Sequence, residues 1–279
     1  QWVKDRISIS RPVGRDGPRR AQPAAETKRL LRVYAFSLGD FRVQREAHAI
    51  TDAEWQSVRA KEMMFYLICH NKWVRKETLI DALWPELPPG RANSLFRTTL
   101  YRLRKVVHPE AVLFEAGRLR LNPLGRFWHD ASDFERLMDE AAKLPNDSLD
   151  KGPVLERALD LYKGPFLEDV YSEWADPIRT RCDVLYHKAL LESVKFFLDR
   201  GNHRRALEMC DTLIQLDDSD EEPYALAVKC SALAGDHELA TRYLLRYEAK
   251  AGDTVATPQS NMVARTYRTL VSGSKSALA

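Results

Sequence analysis

The sequence predicts a mainly α chain, a small α+β unit followed by an all-α stack of helices, and three observations carry that expectation. Residues 91–105 (RANSLFRTTLYRLRK) repeat apolar side chains at helical spacing, with Ala92, Leu95, Phe96, Thr99 and Leu103, then Val106, on one face. Short alternating segments lie on either side of that helix, at 30–50 and at 111–123. From about Asp130 onward every segment has helical period, and the text repeats at a shift of 34 residues.

Residues 1–28 hold Pro12, Gly14, Gly17, Pro18 and Pro23 with no sustained periodicity, which predicts a basic flexible linker or tail. LLRVYAFSLG then alternates as a strand, Gly39-Asp40 supplies a turn, and FRVQRE continues as its partner. RAKEMMFYLICH (59–70) is an amphipathic helix with Met63, Met64, Leu67 and Ile68 as its core stripe. Arg75 to Trp84 is a second helix, stopped by Pro85 and by Pro88-Pro89. The helix at 91–105 is the third. AVLFEAGRLRLNP reads as a β-hairpin turned at Ala116-Gly117, with Leu119 and Leu121 alternating with Arg118 and Arg120. Strands, three helices and a closing hairpin describe a winged helix-turn-helix over residues 29–127. In that geometry the third helix enters the major groove, and the hairpin reaches the backbone or the minor groove.

The helical part follows as SDFERLMDEAAK, GPVLERALDLYK, PIRTRCDVLYHKALLESVKFFLDRG and onward. Across the 34-residue shift Lys195 aligns with Lys229, Gly201 with Gly235, Asn202 with Asp236, His203 with His237 and Ala206 with Ala240. A Gly-Asn/Asp turn with a small residue a few positions later marks tetratricopeptide-like helix pairs. Each pair needs a neighbour to cover its apolar face, so a stack over 128–273 is expected, with 274–279 as a tail.

Charge is unevenly spread. Lys and Arg outnumber Asp and Glu by 8 to 3 in residues 1–29 and by 16 to 10 in 30–129, but fall behind by 19 to 27 in 130–279. A polyanion should therefore meet the front half. The third helix concentrates this: Arg91, Arg97, Arg102, Arg104 and Lys105 oppose its apolar stripe, and no acidic residue occurs between Glu86 and Glu110. Solvated surface helices usually mix acids with bases to form i,i+4 pairs, and this one does not. A face of that kind suits the major groove of DNA.

Other chemistries are set aside. The four cysteines lie far apart without metal-ligand spacing and read as buried free thiols. His203 and His237 occupy equivalent repeat positions, which points to helix starts rather than a metal pair. The acidic run Asp217–Glu222 reads as a loop leading into an acidic first turn. Ser272-Gly273-Ser274-Lys275-Ser276 lacks the spacing of a phosphate loop. Trp84 and Trp174 read as core anchors. No nucleophile–base pair is visible, so no enzyme, cofactor or metal is expected. No apolar run is long enough to span a membrane, and residues 1–20 do not form a signal peptide. The start at Gln1 rather than Met is expected of a fragment or a processed chain.

With ETLIDALWPELPP, NSLFRTTLYRLRKVV and LYKGPFLEDV in view, the chain resembles the bacterial transcriptional activators of the antibiotic-regulatory-protein type. Those join an OmpR/PhoB-like winged helix to a bacterial transcriptional activator domain of tetratricopeptide-like helices. The resemblance covers roughly residues 30–272. Its strongest pieces are LIDALWP ending in Trp84-Pro85, the RLRK closing the third helix, Gly164-Pro165-Phe166-Leu167, and Asp130 followed by Phe134.

The resemblance implies binding of double-stranded promoter DNA at direct repeats, recruitment of RNA polymerase, and a cytoplasmic protein at the bacterial nucleoid. A homodimer on DNA is a further expectation. Family contacts fall on Ser94, Arg97, Thr98, Tyr101, Arg102 and Lys105, with Arg118 on the wing. Arg91, Arg104 and Arg120 join them from the charge pattern. Arg102 is placed to read a guanine, since a guanidinium fork matches O6 and N7, and Thr98 to touch a thymine methyl. Arg104 and Lys105 lie further along and are expected to grip phosphate. Phe96 is bulky where many relatives are smaller and is expected in the core. Competing expectations are a tetratricopeptide-type interaction scaffold and a nucleic-acid binder blind to sequence.

Overall fold

The computed structural model of the protein describes residues 31–251 and 261–272. The expected linker at 1–28, the tail at 274–279 and Gly273 to Ser276 lie outside the described residues.

Strand β1 (Arg32–Phe36) alternates as its sequence requires, with Val33 and Ala35 fully buried. It turns back into β2 (Arg42–Arg45), and a further short strand, β3 (His48–Ile50), extends the meander. Helix α1 (Asp52–Trp55) is a single turn closed by a capping box between Thr51 and Glu54. Helix α2 (Val58–His70) buries Met63, Met64, Leu67 and Ile68 as expected. The second expected helix begins one residue later than Arg75. Val74 and Arg75 form strand β4 (Val74–Arg75), and α3 (Lys76–Leu83) follows.

The third helix, α4 (Pro89–Val106), starts at Pro89, whose fixed φ and missing N–H suit a first helical position. The hairpin consists of β5 (Val112–Glu115) and β6 (Arg118–Leu121), and β4 joins it to give the order β4-β6-β5. Besides α1 and β4, one further strand had no counterpart in the sequence reading. Strand β7 (Arg126–His129) pairs parallel to β1 and completes a sheet of order β3-β2-β1-β7.

The helical part runs α5 (Asp130–Lys143), α6 (Lys151–Leu161), a 3-10 turn at Glu173–Ala175, α7 (Asp176–Asp199), α8 (His203–Leu216), α9 (Glu221–Leu233), α10 (His237–Ala251) and α11 (Met262–Tyr267). The 34-residue repeat is structural: α7–α8 and α9–α10 are equivalent hairpins. Gly201 and Gly235 both take left-handed backbone, with φ of +70° and +80°. Asn202 and Asp236 then cap the following helices by accepting from Arg205 N (3.2 Å) and Leu239 N (2.8 Å). Ala206 and Ala240 are fully buried where the paired helices meet. His203 and His237 are the first residues of α8 and α10. The acidic run resolves as expected too. Asp217 accepts from Ser219 in the loop, and Asp220 caps α9 ahead of Glu221 and Glu222.

One continuous core runs from Val33 in β1 to Ala189 in α7, and a second covers α7 to α11. The first is continuous because three ties fasten the winged helix to the helical stack. Leu38 bridges Phe166, with Leu167 N donating to Ser37 O at 2.8 Å and Gly39 N to Pro165 O at 3.2 Å. There the chains touch at Gly39 and Gly164, where a Cβ on Gly39 would stand 2.6 Å from Lys163 C. Trp174 Nε1 donates to the buried Glu62 at 2.9 Å, and Arg59 donates both to Glu62 and to Ser172 Oγ. Trp84 and Trp174 pack against this core, as anchors should.

The third tie is a buried polar cluster at the start of α5. The Asp130 carboxylate accepts from Ser37 N (2.8 Å), Leu38 N (3.0 Å), Ser37 Oγ (2.7 Å) and its neighbour Ala131 N (2.7 Å). His129 Nε2 lies 2.8 Å from Ser37 Oγ, and its Nδ1 lies 2.9 Å from Ser132 Oγ. Burial pushes the His129 pKa down to about 4, outweighing the attraction of Asp130. The ring is therefore neutral near pH 7. With Ser37 Oγ donating to Asp130, the network assigns the ring proton to Nε2.

Candidate nucleic-acid interface

Helix α4 buries Ala92, Phe96, Thr99, Leu100 and Leu103, with Val106 half-buried. Two side chains exchange places relative to the expected stripe. Leu95 is 37% exposed, whereas Leu100 is buried. The buried line steps from 92 to 96 to 99/100 to 103, and Leu95 falls to one side of it. Phe96 is core as expected, 2% exposed, with its ring 5.8 Å from that of Phe114 on the hairpin.

The opposite face presents Arg91, Ser94, Arg97, Thr98, Tyr101 and Lys105, all exposed, with Arg102 half-buried beside them. No ion pair among the described residues engages Arg91, Arg97, Arg102 or Lys105. Tyr101 is 65% exposed. Thr98 Oγ1 donates to Ser94 O at 3.2 Å, so its hydroxyl is committed to its own helix and its methyl remains as the contact group. The first turn carries no acid and no side-chain cap, leaving the partial positive charge of the helix N-terminus on the same surface.

Arg104 differs from its neighbours. It is half-buried, and its Nε and Nη2 donate to Val112 O at 3.3 and 2.8 Å. That holds α4 against β5, unlike the freely presented side chains of Arg97 and Lys105. Arg45 from β2 donates to Val106 O (2.9 Å) and so satisfies a carbonyl at the other side of the same helix end. Helix α4 is thus held by two arginines, its own Arg104 and Arg45 of β2.

The hairpin turn has both central residues at positive φ, Ala116 at +47° and Gly117 at +73°, the pattern of a type I′ turn. Its tip is fixed by Lys76 N donating to Gly117 O at 2.9 Å. Arg118 is exposed, and Arg120 is half-buried with its Cζ 4.6 Å over the ring of Trp73.

Sequence reasoning missed Arg75, which stands directly opposite Arg118 across β4 and β6. Two like charges facing each other across strands are unfavourable without a counter-charge, and here Glu115 offsets Arg118 from one side only. The two-residue strand β4 is too short to show alternation, so the sequence around it read as a helix start. Arg75, Arg118 and Arg120 extend the cationic surface beyond α4.

The comparisons agree with this architecture. Residues 129–268 match the bacterial transcriptional activator domain. The regulatory protein AfsR of Streptomyces coelicolor is 34% identical over 134 residues, and AfsR of Streptomyces griseus is 31% identical over the same length. Each match covers 46% of this chain and 13% of the relative, so the chain corresponds to a small part of those proteins. Among solved structures, Mycobacterium tuberculosis EmbR, in complex with a low-affinity phosphopeptide, superposes with a TM-score of 0.65. That likeness covers 89% of this chain and 70% of EmbR at 16% identity, and it speaks for the fold alone. A winged helix-turn-helix interlocked with tetratricopeptide-like helix pairs, matched by the family over half its length, places this chain in the bacterial transcriptional activator domain family.

Proposed function

We propose that this chain is a sequence-specific regulator that binds double-stranded promoter DNA and activates transcription. Helix α4 lies in the major groove, and the β5–β6 hairpin lies along the adjacent backbone or minor groove. The observation that carries this reading is the exposed face of α4, cationic and without acidic partners, with Arg75 and Arg118 extending it. A helix kept that way at a cost in self-repulsion fits a polyanion.

Within this reading Arg102 reads a base and Thr98 meets a thymine methyl. Arg91, Arg97, Lys105 and the hairpin arginines Arg118 and Arg120 hold phosphate, while Arg104 positions the helix. The acidic helical stack contacts the transcription machinery, RNA polymerase included, and two copies occupy direct repeats as a homodimer on DNA. The protein works in the bacterial cytoplasm and is not an enzyme. No helix among the described residues is long and apolar enough to cross a membrane.

The test is selection of bound duplexes from a random-sequence pool at physiological salt. Enrichment of a repeated motif, with half-sites about one helical turn apart, supports the reading. Binding without enrichment leaves a sequence-blind basic module, and no binding moves the function to the helical stack. Arg102→Ala should cost about 1–3 kcal/mol at one base position, whereas Lys105→Ala should weaken all duplexes alike and reduce the salt slope by about one.

A further inference from the structure

A second surface lies on the other side of the winged helix. The outward face of the β3-β2-β1-β7 sheet carries Arg32, Tyr34 and Phe36 from β1, Arg126 and Trp128 from β7, and Arg42 from β2. Register places Tyr34 opposite Trp128 and Phe36 opposite Arg42. The rings of Tyr34 and Phe36 lie 6.2 and 5.4 Å from that of Trp128, and the Arg42 guanidinium sits 3.8 Å over Phe36. At one end Arg32 stands opposite Arg126, both exposed, and no ion pair among the described residues engages either. A shallow cavity of about 270 Å³ opens there, lined by Arg32, Tyr34, Arg126, Phe127 and Trp128.

This face points away from α4. Arg45 is the inward-facing neighbour of Gln44 on β2, and it reaches the last carbonyls of α4. The recognition helix therefore lies on the inner side of the sheet, and a partner on the outer side leaves it free.

We propose that this face is a docking surface for an extended acidic segment of a partner protein that carries an aromatic or aliphatic side chain. The paired guanidinium groups of Arg32 and Arg126 take carboxylates, and the wall of Tyr34 and Trp128 takes the apolar group. Charge complementarity selects this occupant. Two arginines facing each other need a counter-anion, and among the described residues neither they nor the aromatic floor beside them has another cover. A nucleic-acid strand fits less well, because it needs a track of cations. Arg42, the third arginine, is already committed to Asp40 at 3.4 Å and to Phe36. As an edge strand, β7 also leaves backbone groups for an added extended segment.

The test uses fluorescence anisotropy with the whole chain and three labelled probes: the acidic peptide EELFEE, oligo-dT, and a mixed-sequence duplex. Arg32→Glu with Arg126→Glu should weaken peptide binding about tenfold or more and leave duplex binding within about twofold. The uncharged pair Arg32→Gln with Arg126→Gln should fall between, with the melting temperature of each variant checked against the parent. Arg97→Glu with Arg102→Glu should do the reverse, weakening the duplex and sparing the peptide. Peptide binding that ignores Arg32 and Arg126, or no peptide binding at about millimolar concentration, would overturn the proposal. Oligo-dT binding that depends on the same two arginines would overturn it in favour of single-stranded nucleic acid. Because duplex affinity is read separately, failure here leaves the α4 reading standing, and the reverse holds too.

Discussion

Asp130→Asn changes one atom of the cluster that ties β1 to α5, and its cost can be worked from the contacts. The two carboxylate oxygens accept four donors: Ser37 N and Leu38 N at Oδ2, and Ser37 Oγ and Ala131 N at Oδ1. An asparagine keeps one accepting oxygen and replaces the other with an NH2 group. On the Oδ2 side this orphans Ser37 N and Leu38 N. On the Oδ1 side it orphans Ala131 N, while the Ser37 hydroxyl turns to accept from the NH2 and donates to His129 Nε2. The residue is 4% exposed, so water cannot step in. An orphaned buried donor costs about 1–3 kcal/mol, and one or two are orphaned according to which way the amide lies, which places the substitution at about 1–6 kcal/mol. At about 2–4 °C per kcal/mol for a chain of this size, the melting temperature should drop by about 10 °C. Urea unfolding of the full chain measures this directly, and a double-mutant cycle with Ser37→Ala should show coupling above about 1 kcal/mol. Asp130 is also the first residue of α5, where the helix dipole alone is worth about 0.3–1 kcal/mol. A loss within that smaller range, with no coupling to Ser37, would show that the cluster does not hold the junction.

Three further outcomes are expected. The folded pKa of His129 is about 4, below its ordinary value of 6.5, so the unfolded chain takes up the proton first as pH falls. Stability should be unaffected above about pH 6.5 and should decline by up to about 3 kcal/mol as pH falls from there to about 4. His129→Gln should flatten that decline in pH-dependent urea unfolding. Gly39→Ala should cost at least about 3 kcal/mol, because it combines positive φ with backbone overlap at Lys163, while Gly117→Ala, open on all sides, should cost about 1 kcal/mol in the same assay. Arg104→Met should lower stability by about 1–2 kcal/mol through loss of the bonds to Val112 O, and should weaken duplex binding without changing the salt slope, as a positioning role requires.

What the sequence made legible was what local periodicity and charge can write. The repeat at Gly201/Gly235 and Asn202/Asp236 was readable because a turn and its cap are encoded within four residues. The cationic face of α4 was readable because no acid interrupts it. Strand β7 was not, because Arg126–His129 is too short to show alternation and its partner lies more than ninety residues upstream. The same separation hid the Ser37–Asp130 bonds, and the Gly164-Pro165-Phe166-Leu167 text gave no hint that it would close against Gly39. Arg104 was misplaced among the freely presented cations for a related reason. Spacing assigns a helical residue to a sector but cannot say which neighbouring carbonyl will take its guanidinium.

The interlock at β1 also bears on how this architecture can be recombined. A cut between residues 127 and 128 would split β7, bare the edge of β1, and orphan the amides of Ser37 and Leu38 that Asp130 accepts. Glu62, 1% exposed, would lose Trp174 and be left buried with only Arg59 to pair it. The winged helix is therefore not a cassette that can be grafted alone onto another chain. A graft that keeps the fold must carry the 3-10 turn and the first part of α7 with it, so a transplanted α4 brings its helical platform along as a single hereditary unit.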